Sequence, residues 1–208
     1  MDVIVVGAAA LLGAGAGWFV FPLAQREERT AVPRNWRVPM AVLTGFLCGL
    51  MAWVFGVSAL LPAFCYLVVM GVLLGAIDAR HQLLPNRLVL PFLVGALVLL
   101  GLATVVSGAW LHLLGGLLGG AVLFALYLAM ALIKPGGIGL GDVKLAAVVG
   151  LYAGYLGLNA WLLVLLGAFL LNAVAILVLM LARVLNRNSD IPFGPAMIAA
   201  TLLAPLVA

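Results

Sequence analysis

The stretch K-P-G-G-I-G-L-G-D-V-K, Lys134 to Lys144, places four glycines, an aspartate and two lysines between two long hydrophobic runs. How it is read decides the fold. Either it is a break inside one apolar segment, or it is a polar connection at the surface of a membrane with a helix arriving and another leaving. The rest of the chain favours the second reading. Of the 208 residues, 67% are hydrophobic and only 8% are charged, and the mean hydropathy is +1.36. A soluble domain carries roughly a quarter charged residues, so this composition excludes one and describes an integral membrane protein.

A spanning helix needs about 20 apolar residues. Runs of about that size fall at 3 to 23, 39 to 56, 60 to 77, 88 to 106, 110 to 133, 143 to 157, 159 to 182 and 192 to 207, the sixth being the shortest. They predict an all-α, polytopic fold of eight transmembrane helices. The basic residues test this division, because cytoplasmic loops collect Lys and Arg. With an external N-terminus, the odd-numbered connections hold Arg26, Arg29, Arg34 and Arg37, then Arg80 and Arg87, then Lys134 and Lys144, then Arg183 and Arg187, which is all ten. The turns near 57 to 60, 107 to 109 and 154 to 158 hold none. Both termini are therefore expected outside. The net charge of +4 follows from this asymmetry and is no sign of nucleic-acid binding.

The first run lacks the basic leading region of a cleavable signal peptide, so it is expected to be a true span. Cys48 and Cys65 both fall inside predicted spans and no CxxC pair occurs, so neither structural zinc nor a disulfide framework is expected. The longest polar connection, Ala24 to Val38, is too short for a soluble domain. One membrane domain, 1 to 208, is expected to carry whatever chemistry occurs.

Acidic residues number six: Asp2, Glu27, Glu28, Asp78, Asp142 and Asp190. Asp2 is terminal, and Glu27 and Glu28 sit among arginines in a loop. Asp78 closes the apolar run of the third span and Asp142 opens that of the sixth. Ionisable groups at such depth cost about 2.5 to 3.5 kcal/mol on insertion scales and usually mark function. The 46 residues from Leu88 to Ile133 provide two spans and a turn, returning the chain to the same face. The two carboxylates thus share one depth on one side and can meet. Such a pair shares a proton, which supplies a general base for water and a general acid for a departing amine. The alternative is two interfacial residues paired with Arg80 or Lys144. No Ser stands near a His, and both Cys lie in apolar helix, so a nucleophilic mechanism has no support.

Gly139 and Gly141 flank Leu140 just before Asp142. Glycine there permits an extended stretch or a close approach that could pair with a substrate strand. The alternative is a flexible loop leading to a helix N-terminus, where a carboxylate is favourable in any case.

Taken with its surroundings, G-I-G-L-G-D-V-K-L (Gly137 to Leu145) resembles the GxGD motif of the type IV prepilin peptidases, a family of intramembrane aspartyl proteases. D-A-R-H-Q-L-L-P-N-R-L (Asp78 to Leu88) resembles that family's first motif, an aspartate followed seven residues later by Pro and then Asp or Asn. I-P-F-G-P (Ile191 to Pro195) is similar to the signature before its last helix. The resemblance covers about residues 39 to 208. It implies Asp78 and Asp142 as the catalytic pair and an endopeptidase that cuts the basic leader of prepilins or pseudopilins at the cytoplasmic face of the inner membrane. It implies motif or substrate-positioning roles for Gly139, Gly141, Lys144, Pro85, Asn86, Pro192, Gly194 and Pro195. Lys144 matches a lysine that often follows the GxGD aspartate, where it either tunes a carboxylate or anchors the span. Many members of the family carry a zinc-binding domain with two CxxC pairs between the first two helices and also N-methylate their product. Here that connection is 24 to 38 without a cysteine, so the resemblance is to the short form, with no methylation, no metal and no cofactor expected.

Pro85 and Asn86 fit the start of a helix, and Ser189 or Asp190 fits a cap for the last one, with contact to a basic leader as the other reading of Asp190. Gly115, Gly116, Gly119 and Gly120 repeat at four-residue spacing, as do Gly71 and Gly75, the pattern of closely packed membrane helices. His81 and His112 read as loop and interface residues, and Trp18, Trp36, Trp53, Trp110 and Trp161 as an aromatic belt. The expected partners are a prepilin-like substrate and the bilayer, with no nucleic acid. A rival reading is a small ion-coupled carrier using the paired aspartates beside glycine-broken helices. Against it stand the depth of the aspartates, at the inner edge rather than the midplane, and the lack of an inverted repeat.

Overall fold

Apolar runs that cannot be hydrated must satisfy every backbone group internally, which in a membrane means helices. The computed structural model describes residues 3–26, 29–133, 139–182 and 192–207, and it is all-helical. The helices are α1 (Val3–Ala24), α2 (Arg37–Phe55), α3 (Leu61–His81), α4 (Asn86–Ser107), α5 (Trp110–Ile133), α6 (Leu140–Leu156), α7 (Leu158–Leu181) and α8 (Gly194–Leu203), with single 3-10 turns at Arg34–Trp36 and Ala204–Leu206. Asp2, Glu27, Glu28, Lys134, Gly137, Arg183, Arg187, Ser189, Asp190 and Ile191, all read from the sequence above, lie outside the described residues.

Among the described residues there are eight α-helices, of which six are long and apolar enough to cross a bilayer alone: α1 to α5 and α7. α6 has 17 residues, about 26 Å at 1.5 Å per residue, short of a hydrocarbon layer of about 30 Å. α8 with its terminal turn is shorter still. Two boundaries also differ from the hydrophobic runs. α3 continues past residue 77 to His81, so Asp78 lies within the helix rather than at its edge. α6 begins at Leu140, which puts Asp142 in its first turn.

Three turns leave α2, α4 and α6 through glycines with positive φ, Gly56 (58°), Gly108 (71°) and Gly157 (117°), a backbone region open to glycine at little cost. These are the three connections in which the sequence has no Lys or Arg. The described parts of the α1–α2 and α3–α4 connections and the start of α6 are tied to one another at the other end. There the His81 ring is 2.8 Å from the Ala31 carbonyl, Thr30 Oγ1 donates to the Ala24 carbonyl (3.0 Å), and Lys144 Nζ donates to Asn86 Oδ1 (2.7 Å).

The bundle is centred on α3, of whose spanning window 56% is buried, against 11% for the peripheral α7. Phe19, Phe46 and Leu111 are largely exposed, which an aqueous surface would not tolerate at this density and lipid does. α3 is tied to α6 by the Tyr152 hydroxyl, which donates to the Ala63 carbonyl (2.8 Å). The Tyr152 ring packs between Phe64 (5.2 Å) and Phe92 (6.4 Å).

The tightest helix pair is α5 with α6, and the glycine spacing noted above is its cause. A Cβ built on Gly119 would lie 2.7 Å from the Gly150 carbonyl oxygen, and one on Gly120 2.8 Å from that of Ala147. Gly115 stands likewise against Gly154. Backbone meets backbone along three turns, as small residues allow. Gly71 faces Ile198 of α8 instead, with 2.7 Å to its Cγ2.

Gly119→Val is expected to destabilise the protein by about 1–3 kcal/mol, the cost of forcing atoms into a close-packed interface. Gly7→Ala, where nothing lies within 4 Å, should leave stability the same or slightly higher. Thermal unfolding in detergent measures both.

Candidate active site

Asp78 ends the buried part of α3 and is 3% exposed. The helix stops one turn later: Gln82 adopts a left-handed conformation (φ 52°), and its N–H donates to the Asp78 carbonyl. The Asp78 side chain reaches across to α8, where Oδ2 accepts a 3.0 Å hydrogen bond from the Gly194 N–H. Gly194 is the first residue of α8 and Pro195 the second. The N–H of a first helical residue has no partner in its own helix, and the proline has no N–H to satisfy. The Asp78 carboxylate therefore occupies the positive end of α8. No side chain on α8's own N-cap, Phe193, serves it. The approach requires glycine, since a Cβ on residue 194 would fall 2.7 Å from Asp78 Oδ2.

Asp142 is held in the same manner by its own helix. Gly139 is the N-cap of α6, and the Asp142 carboxylate, three residues on, accepts the Gly139 backbone N–H. This is the returning half of a capping box. Its other oxygen, Oδ1, is buried and has no hydrogen-bond partner among the protein atoms. The two carboxyl groups are near enough that the charge of Asp78 acts on Asp142. Leu145, one turn further along α6, comes within 3.5 Å of a Cβ placed on Gly194, so α3, α6 and α8 converge here. The two aspartates that the sequence singles out thus lie on helices that converge, within electrostatic reach of one another. Neither is paired with Arg80 or Lys144.

Gly141 serves packing. A Cβ there would lie 2.7 Å from that of Leu84, a buried residue of the connection between α3 and α4. The segment following Asp78 is thus laid against the segment preceding Asp142. Lys144 adds a second tie through Asn86, the first residue of α4. The expected capping by Asn86 takes a different form: Pro85 is the N-cap position without a side-chain bond, and the Asn86 carboxamide receives the lysine. Pro192 is half-buried beside the site.

Sequence reasoning missed an aromatic cluster. Tyr127 of α5, 1% exposed, lies 5.9 Å from Phe193 and 5.9 Å from Phe169 of α7, and those two rings are 5.2 Å apart. Tyr127 is also within electrostatic reach of Asp142. Nothing in the sequence marks it, because an aromatic residue in an apolar helix reads as core.

A buried carboxylate and a half-buried one thus stand at converging helix ends in a polytopic membrane bundle. The sequence pattern of the type IV leader peptidase family matches residues 64–181, a span that contains both aspartates, and the chain belongs to that family. It is 36% identical over 158 residues to the prepilin leader peptidase/N-methyltransferase of Bacillus subtilis, covering 73% of this chain and 58% of the relative. It is 33% identical over 175 residues to that of Stutzerimonas stutzeri, covering 82% and 58%. The match to the Aeromonas salmonicida protein is 38% over 133 residues, covering 62% and 44%. The chain thus spans about half the length of these relatives, from 44% to 58%. No solved structure matches it.

The Asp78 to Gly194 contact can be tested without any assay of activity. Gly194→Ala is expected to lower stability by about 1–3 kcal/mol in the native background. It should cost clearly less in an Asp78→Ala background, where the carboxylate it strikes is gone. A double-mutant cycle of unfolding free energies reads the coupling.

Proposed function

We propose that the protein is an intramembrane aspartyl endopeptidase that removes the basic leader of a prepilin or pseudopilin at the cytoplasmic face of the membrane, with Asp78 and Asp142 as the catalytic pair. The observation that carries this reading is the pair itself: a buried carboxylate, Asp78, and a half-buried one, Asp142, each held at a helix N-terminus, the charge of the first acting on the second. Like charges so placed favour a state with one shared proton. The ionised member takes a proton from water, the resulting hydroxide attacks the scissile carbonyl carbon, and the protonated member gives its proton to the amide nitrogen as the C–N bond breaks. Which aspartate begins as base is a property of the pair.

Membership of the family and the printed activities of its relatives support the substrate class. So does the charge pattern. The described connections at the aspartate end carry Arg26, Arg29, Arg34 and Arg87, while the glycine turns at the other end carry no Lys or Arg, the asymmetry of a cytoplasmic face. On this reading both termini lie outside, the substrate's leader stays in the cytoplasm and its apolar helix remains in the bilayer. The 24–38 connection stands where long members carry a metal-binding domain. The activity proposed is therefore peptidase alone, in a single domain.

The test is cleavage of a leader-bearing prepilin by purified protein in detergent or liposomes. Asp78→Asn and Asp142→Asn should each lower the rate by about 10²–10⁴, the share that general acid–base catalysis contributes, with folding intact by circular dichroism. Full cleavage by either variant would refute the mechanism.

A further inference from the structure

We propose that the apolar groove between α2, α3 and α8 seats the substrate's own hydrophobic helix, the turns that follow the scissile bond, and that Gly75 keeps room for it. The inference rests on the peptidase reading above and adds to it where the substrate lies.

The groove encloses about 450 Å³ and is lined by Leu43 and Leu47 of α2, Gly71 and Gly75 of α3, and Ile198 and Ala199 of α8. Gly71, Gly75 and Asp78 stand at i, i+4 and i+7 of one helix, so they share one face. The α8 wall starts at Pro195, next to the Gly194 whose N–H holds Asp78. One end of the groove is thus continuous with the Asp78 site. The other, at Leu202, lies about 10 Å further along α8 by the helical rise of 1.5 Å per residue.

The two glycines of the floor differ. A Cβ on Gly71 would fall 2.7 Å from Ile198 Cγ2, so glycine there lets α8 approach α3. A Cβ on Gly75 would meet Ile198 Cδ1 at 3.8 Å, an ordinary contact. Glycine inside a helix costs about 1 kcal/mol relative to alanine, and packing against α8 does not demand it at 75. What it provides is a gap in the groove floor about one turn before Asp78.

The occupant follows from the course of the substrate. A leader held in the cytoplasm and a bond placed at Asp78 leave the rest of the chain one way to continue, along α3 into the bilayer. On the peptidase reading that part of the substrate is an apolar helix. Helices in lipid associate by close packing against small residues, and Gly75, Ala76 and Ala199 present such a surface. Leu43 on the α2 side is exposed, so the groove opens sideways to the bilayer and a helix already in the membrane can enter it.

The experiment uses two substrates: a leader-bearing prepilin with its full apolar helix, and a leader peptide that stops a few residues after the bond. Gly75→Leu and Ala199→Leu each fill the groove, from different walls, and thermal unfolding in detergent shows which of them remain folded. Each folded variant should lower kcat/KM for the full prepilin about tenfold more than for the peptide, within the range that a methylene makes in an apolar pocket. In parallel, a photoreactive benzophenone side chain is installed at Leu43, at Ala199 and, as control, at Leu93 in the separate groove between α4, α5 and α6. Asp142→Asn keeps the prepilin uncut in all three. Cross-links to the prepilin helix from Leu43 and Ala199, and none from Leu93, are expected. Equal losses on both substrates, cross-links from Leu93 instead, or cross-links from Leu43 and Ala199 to lipid alone overturn the proposal and leave the aspartate pair in place. A folded wild type that cleaves neither substrate overturns the peptidase reading, and this inference with it.

Discussion

Two carboxylates have been brought together in the least hospitable part of an apolar chain, and much of the architecture is a response to that. An ionised carboxyl withdrawn from water costs several kcal/mol unless hydrogen bonds and favourable dipoles replace the hydration. The protein supplies both by aiming a helix N-terminus at each group: α8 through the Gly194 N–H at Asp78, and α6 through the Gly139 N–H at Asp142. The support is partial, because one oxygen of Asp142 remains unpartnered.

The lengths of the helices follow from the same constraint. α6 and α8 are the two helices too short to cross the bilayer alone, and they are the two whose N-termini hold the aspartates. A full-length helix would carry its N-terminus out to the water, where a carboxylate needs no help. Stopping short leaves the positive end at depth. The glycines perform a related task. At Gly194 and Gly141 they let an aspartate and Leu84 approach closer than any Cβ would permit. Along α5 and α6 they bring two backbones into contact, which fixes α5 against the helix that carries Asp142.

The polar ties at this end work between elements distant in sequence. Lys144 bonds Asn86, Leu84 covers Gly141, and His81 holds the connection between α1 and α2 through the Ala31 carbonyl. Lys144, read from sequence as either tuning a carboxylate or anchoring a span, joins the start of α4 to α6. The segments around the two aspartates are thereby fastened together.

By itself the sequence determined the membrane class, the eight helices, the separation of basic and glycine-bearing turns and the two aspartates. Hydropathy, charge asymmetry and the energetic cost of a buried acid are all local quantities, legible in a linear string. It also marked the glycine spacing of α5, though not that its partner would be α6. Only the tertiary structure decided which donors hold each aspartate. It also showed that Asp78, rather than any residue at the start of α8, meets that helix's first N–H, and that α6 and α8 fall short of a full span. Tyr127 belongs to this second group. Its ring packs on Phe193 and Phe169, two residues from other parts of the chain. Periodicity reports which face of a helix is apolar, and gives no information on which distant group that face will meet.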